Sequence, residues 1–566
     1  MKSKLSIILL TVTPLIFILV ALSLIPDNKR PLSKAAMNII RCSSTNFLLA
    51  NVDTTQQIAP LFDNLGTHYY TVSTKNDKAQ VFFNQGLNLM YAFNHAESHR
   101  SFMEAARLDN NLAMAFWGQA YVLGPNINDQ LPGEERRTKS YEAIEKALRL
   151  SSKATHKEQA LIKALSYRYS KDSVDIKKLN FAYMDAMKKV YAQFPEDAEV
   201  LTLYAAAVMN TVPWDYWDKE GNPSPNISEA KLALEKAMEL NENHPGANHY
   251  YIHMVELPKP DLGIISADRL GQTIPGAGHI VHMPGHIYMR VGRYSDAVKV
   301  NQAAVLADES YISQCFSQGL YPLGYYPHNI HFLWSAASML GNSELAIDAA
   351  KKTAEKVPVS ILESSIFHQN FATTPLLAYL RFGKWNDILT TPYPGEEYTY
   401  MTLIYNYSRG IAFLRKNNLK EAKEELDILS KRNTDMDDER TTIIANVAYE
   451  VLAGEIEVAK GNLDKAIKHL ENAVRLEDDL AYDEPSAWYI PTRQSLGAIL
   501  LQAKRYETAE KIFHEDLSYY RQNGWSLMGL YTSLLGQGKI EEAKKIKKEF
   551  DIAWSESDID INSSVL

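Results

Sequence analysis

Histidine carries the chemistry that stands out in this chain. Eight of its 15 histidines lie between His244 and His331, in 88 residues of 566. They come in three runs: HPGANHYYIHMVE, GHIVHMPGHIYMR and PHNIH. His249 and His253 are four residues apart. On a helix that spacing puts both imidazoles on one side, as in HxxxH metal sites, and Glu256 follows one turn later. Neutral nitrogen donors with one carboxylate suit Zn, Cu or Fe rather than Ca or Mg. Two other readings stand beside this one. The rings are packing or peptide-contacting residues, or they form a cluster that titrates together near neutral pH.

The elements that must position these rings form a repeat. The segment PGHIYMRVGRYSDAVKVNQAAVLADES resembles a tetratricopeptide (TPR) unit, two antiparallel helices in about 34 residues. With Gly285 at position 8, Tyr288 falls at 11, Gly292 at 15, Tyr294 at 17, Ala297 at 20 and Ala304 at 27. Small residues at 8 and 20 let the two helices approach closely, and Gly at 15 ends the first of them. The register carries on through Ala230 and Ala237, Gly341 and Ala346, Gly383, Ala422, Gly461 and Ala466, Gly497 and Ala509, and Gly538 and Ala543. Gly86, Phe102 and Ala105 mark a first unit. Roughly nine or ten such units predict an all-α, α-α superhelical solenoid. The resemblance covers about 78–551 and is similar to bacterial extracytoplasmic TPR proteins. It implies a concave face that holds ligands, and it does not imply an enzyme.

In such units positions 2, 5, 9 and 12 of the first helix line the concave face. The register places His249, His253 and Glu256 at 5, 9 and 12 of one unit. It places His279, His282 and His286 at 2, 5 and 9 of the next, and His328 and His331 at 2 and 5 of a third. Seven histidines from three consecutive hairpins thus share one predicted wall, with His244 near it. Pro284 lies inside the second helix, so that helix either kinks there or begins there, leaving His279 and His282 on a loop. His95 and His99 have the same i, i+4 spacing but fall at 17 and 21, a packing location.

The rest of the chain bounds the reading. Residues 1–25 place Lys2 and Lys4 before an apolar run, which predicts a signal peptide or membrane anchor with the body outside the cytoplasm, periplasmic or at the cell surface. Residues 26–77 read as a tether, 78–390 as an N-terminal solenoid, 391–553 as a C-terminal solenoid and 554–566 as a polar tail. An aromatic insertion with Trp214, Tyr216 and Trp217 either covers the groove or plugs a gap between units. Tyr325 and Tyr326 lead into the third histidine run, and Cys315 reads as a packing residue rather than a soft ligand. Trp488, Tyr489 and Arg493 offer a second contact surface or interhelical packing. The net charge of −9 and the lack of a basic run argue against nucleic acid as partner. The two cysteines make no disulfide framework. No P-loop, GxSxG or dinucleotide fingerprint is present.

The expectation is an extracytoplasmic repeat protein that holds a transition metal through His249, His253, His279, His282, His286, His328 and His331. If a coordination position stays open, Glu256 is the candidate base or extra ligand. The alternative is a non-catalytic scaffold holding a peptide or partner protein in the groove.

Overall fold

The computed structural model describes residues 55–172, 174–315, 321–432 and 438–566, with the side chains of 315 and 432 also left aside. The expected N-terminal signal or anchor, most of the tether and both cysteine side chains lie outside the described residues. Among the described residues no helix is long and apolar enough to cross a membrane.

The described residues fold as successive antiparallel helix hairpins without a named strand; two isolated bridges, Asn126 with Asp129 and Trp217 with Pro223, are the only strand-like pairings among them. The helices that frame the site are numbered here in chain order. They are α1 (Asp77–Tyr91), α2 (His95–Leu108), α3 (Pro245–Val255), α4 (Gly278–His282), α5 (Pro284–Val291), α6 (Tyr294–Cys315), α7 (Tyr326–Leu340), α8 (Ile366–Arg381) and α9 (Glu439–Ala459).

The small-residue register does what close helix packing requires. Ala105, Ala230, Ala297, Ala346, Ala422, Ala466, Ala509 and Ala543 are all fully buried. Each sits where two helices meet, and a larger side chain there would push the pair apart. In the first hairpin Gly86 faces the Phe102 ring so closely that an added Cβ would come within 2.8 Å of it. Gly292 closes α5 in the left-handed region, at φ 82°, and its N–H bonds the Tyr288 carbonyl. That is the αL cap for which glycine has no steric cost.

The C-terminal hairpins return against the middle of the chain. Trp525 Nε1 donates to the Ser338 carbonyl at 3.0 Å, and Tyr294 donates to the Arg521 carbonyl at 2.9 Å. Residues 554–566, polar in composition, are lodged rather than loose. Asp558 accepts from the backbone N–H groups of Ser343 and Glu344, and Ser564 is fully buried. This return forms an open-mouthed chamber of about 720 Å³, lined by histidines and by Tyr400, Arg440, Asp483 and Tyr489.

Candidate metal centre

The first histidine pair is set by α3. His244 caps that helix, its Nδ1 accepting the Ala247 N–H, and Pro245 opens it. Gly246 lies against the Tyr91 ring, where a Cβ would come within 2.4 Å, so α3 rides close on α1. That closeness lets His249 Nδ1 reach the Tyr91 carbonyl at 2.6 Å. A carbonyl only accepts, so Nδ1 carries the hydrogen and Nε2 is left with its lone pair. His253 Nδ1 faces Glu256 Oε1 at 3.2 Å, which fixes the same tautomer. The two bare Nε2 atoms then face each other at 3.1 Å.

The second pair spans the proline. Pro284 divides the predicted helix into α4 and α5, and Met283 between them keeps helical angles, φ −51° and ψ −35°. The chain passes the proline without losing its helical register, so His279 and His282 stay on a helical turn. His282 Nδ1 meets Asn301 Oδ1 at 2.9 Å. Asn301 Nδ2 donates to the Ala297 carbonyl at 2.7 Å, which fixes which way the amide points. His286 Nδ1 lies 2.6 Å from Glu256 Oε2, an ion-pair approach angled off a hydrogen bond. The Nε2 atoms of His282 and His286 face each other at 2.9 Å.

Each pair has a third ring. His249, His253 and His279 offer nitrogen atoms within 4.8 Å of one another, and so do His282, His286 and His328. His279 is buried, and neither of its ring nitrogens has a hydrogen-bond partner. Leaving such a group unpaired costs about 1–3 kcal/mol, so a ligand for it is expected. Asp308 of α6 holds the two helices that supply these third rings. Its carboxylate occupies the space beside Gly278 at the start of α4, accepts Tyr321 at 2.7 Å, and accepts Asn329 of α7 at 2.7 Å. His331 goes elsewhere. It packs among Trp334, Phe371 and Tyr489, and its Nε2 lies buried and unpartnered in the chamber wall.

The electrostatics suit neutral ligands around one carboxylate at every ring but His286, where burial opposes the charge and Glu256 outweighs it and raises the ring above the ordinary value. Burial, then neighbouring imidazoles, hold His249, His279, His282 and His328 well below the ordinary histidine value. Burial alone would raise Glu256, but His286 and His253 more than offset it and bring it to about 2. Both Glu256 oxygens face imidazole Nδ1 atoms, the placement of a residue that orients ligands. His253, His279, His286 and His328 border the chamber, while His249 and His282 are fully buried behind them.

A third group, His68, Glu199 and His244, is closed by its own hydrogen bonds. His68 and His244 each approach Glu199 Oε2 at 3.2 Å through Nε2, and Tyr91 donates to Oε1. His244 Nδ1 is already an acceptor, so its Nε2 holds the hydrogen and offers no lone pair.

Several wall residues had no motif to announce them. Asn370 comes from α8, and Tyr400, Arg440, Tyr482, Asp483 and Glu484 reach the chamber because the C-terminal hairpins fold back. Arg440 pairs with Asp483, and burial pushes Glu484 up to about 7. Of the aromatic insertion, Trp214 lines the chamber edge-on to His253, with ring centres 5.1 Å apart. Tyr216 is buried, and Trp217 donates to the Met254 carbonyl. Tyr325 lies over His279 with centres 4.7 Å apart, and Tyr326 turns away to Glu309. Tyr489 faces the chamber, while Arg493 pairs with Asp478.

No protein family and no curated protein matches the chain. Among solved structures, a human IFIT1 dimer with m7Gppp-AAAA is 13% identical, covering 85% of this chain and 96% of that one at a TM-score of 0.32. Yeast Tom70 is 12% identical over 84% and 97%, at 0.29. The APC/C hetero-tetramer Cut9-Hcn1 is 11% identical over 86% and 95%, at 0.27. Likeness at this level says nothing of what the chain does. By their packed hairpins and the buried small residues that space them, the described residues form a TPR-like helical-repeat fold.

Proposed function

We propose that this protein binds a transition metal through the histidines of α3, α4, α5 and α7, on the wall of a ligand-sized chamber. One observation carries the reading. Nε2 atoms face each other at 3.1 Å and 2.9 Å, and the other nitrogen of each ring is turned to an acceptor. A cation between the paired nitrogens uses the geometry as it stands. Histidine ligands leave the ion its full charge, and Zn, Cu and Fe all accept them. The chamber side is where an exogenous ligand would meet the ion, so metal-dependent hydrolytic or oxidative chemistry is the activity this arrangement serves. Glu256 acts as the orienting carboxylate. We also propose that residues 1–25 place the body outside the cytoplasm, on the strength of Lys2, Lys4 and the apolar run after them.

A second reading is a scaffold that holds a peptide in the chamber. Trp214 and Phe367, 42% and 52% exposed, favour it, since both line the chamber and offer apolar surface to a partner. Metal analysis of the full chain separates the two. The first reading expects bound metal in the purified protein, or in protein exposed to Zn²⁺ and desalted, and its loss in a His253→Ala/His286→Ala variant. A wild-type chain that stays metal-free after exposure to Zn²⁺, Cu²⁺ and Fe²⁺ sinks it and leaves the scaffold.

A further inference from the structure

The geometry points to two metal ions per chain, not one. This rests on the metal-binding reading and adds to it a number and an assignment. We infer that His249, His253 and His279 hold the first ion, and His282, His286 and His328 the second.

The argument is one of lone pairs. An imidazole with a hydrogen on Nδ1 has one lone pair, at Nε2. His249 spends its Nδ1 on the Tyr91 carbonyl, His253 on Glu256 Oε1 and His282 on Asn301 Oδ1, while His286 turns its Nδ1 to Glu256 Oε2. Three lone pairs are thus fixed at Nε2, and His286 Nε2 faces that of His282, so the ligand atoms converge two and two. His249 meets His253 at 3.1 Å, and His282 meets His286 at 2.9 Å. With metal–nitrogen bonds of about 2.0–2.1 Å, an ion between the members of either pair subtends roughly 90–100°, within the range that Zn, Cu and Fe accept. One ion cannot use both pairs, because His253 and His286 present their Nδ1 edges, not their lone pairs, to the carboxylate between them. The third ring of each trio lies within 4.8 Å of its own pair. His279 reaches the first trio from α4, and His328 reaches the second from α7, so each ion joins hairpins as well as helical turns.

Glu256 links the two sites. One carboxylate faces a ligand of each ion, through Oε1 to His253 and Oε2 to His286. Such orienting partners are worth about 10–100-fold in metal affinity. Here a single residue acts on both sites, so Glu256→Gln is expected to weaken both ions together.

Titration of the metal-free full chain with Co²⁺ alone, followed by its visible absorption and by metal content after desalting, tests this. Two equivalents bind to the wild type. His249→Ala/His253→Ala leaves one, and His282→Ala/His286→Ala leaves one, with helix content checked by circular dichroism. Where a double alanine variant unfolds, the matching glutamine variant takes its place, and the wild-type stoichiometry needs no variant. A single equivalent in the wild type, abolished by either double variant, overturns the two-ion assignment and keeps the metal reading. Two equivalents that survive either double variant also overturn the assignment. No bound Co²⁺ in the wild type overturns the two-ion assignment, and failure of Zn²⁺, Cu²⁺ and Fe²⁺ as well overturns the metal reading with it.

Discussion

His95 and His99 have the same i, i+4 spacing as His249 and His253, and the two pairs end in different environments. On α2, His95 Nδ1 meets Asn126 at 3.0 Å and His99 is buried with its Nδ1 unpartnered. No short contact joins their Nε2 atoms, and they belong to none of the histidine–carboxylate groups close enough to share an ion among the described residues. On α3 the rings are turned face to face by acceptors behind them, and α4 brings a third. Spacing supplies two rings on one side of a helix. A backing acceptor for each ring, and a neighbouring helix with another ring, make a centre.

The largest test of that contrast removes one pair at a time. His249→Ala/His253→Ala should weaken metal binding at the first trio by about 100-fold or more, since ligand loss exceeds the 10–100-fold typical of outer-shell changes. His95→Gln/His99→Leu should leave metal affinity within a few-fold of wild type. Equilibrium competition with a chromophoric chelator reads both. An equal loss from the α2 variant would break the comparison.

A smaller effect isolates the backing acceptor. Asn301→Leu keeps His282 and His286 but removes the oxygen that sets the His282 tautomer. Affinity at the second trio should fall about 10–100-fold, with the first trio unchanged. Co²⁺ titration resolves the two, and unchanged affinity at both would show that the acceptor does not matter.

The smallest effect belongs to the packing pair. Burial first, then Arg136 and Lys139, holds folded His99 at about 4. The unfolded value is about 6.5, so between these the unfolded chain binds more protons. Stability from this group is therefore present above about pH 6.5 and lost as pH falls toward 4. Thermal unfolding of His99→Leu between pH 7 and pH 5 should show less acid destabilisation than wild type, by on the order of 1 kcal/mol. An identical pH dependence would mean that His99 titrates alike in the folded and the unfolded chain.

Much of the fold was legible from the chain because its rule is local. A small residue is needed wherever two helices of a hairpin touch, and Ala297, Ala346 and Ala466 stand at one register position and are all buried. The histidine runs were legible for the same reason, since the register put them on one face. Pro284 was ambiguous in sequence. A proline forbids one hydrogen bond but does not say whether the neighbouring turn survives, and here it does. The opposite wall was legible only at Tyr489, as one of two readings, and not as a partner of the histidines. Arg440, Asp483 and Tyr489 lie more than a hundred residues from the histidines, and no spacing rule connects them.

The sequence by itself determined the helix hairpins, their close spacing and the concentration of imidazoles on three neighbouring units, because these follow from periodicity and side-chain size. Tertiary structure alone decided the tautomers of His249, His253 and His282, the sharing of Glu256, the exclusion of His331 from both trios and the walls of the chamber. The reason is physical. A lone pair's direction depends on which acceptor lies behind the ring, and for His249 that acceptor is the carbonyl of Tyr91, 158 residues away along the chain.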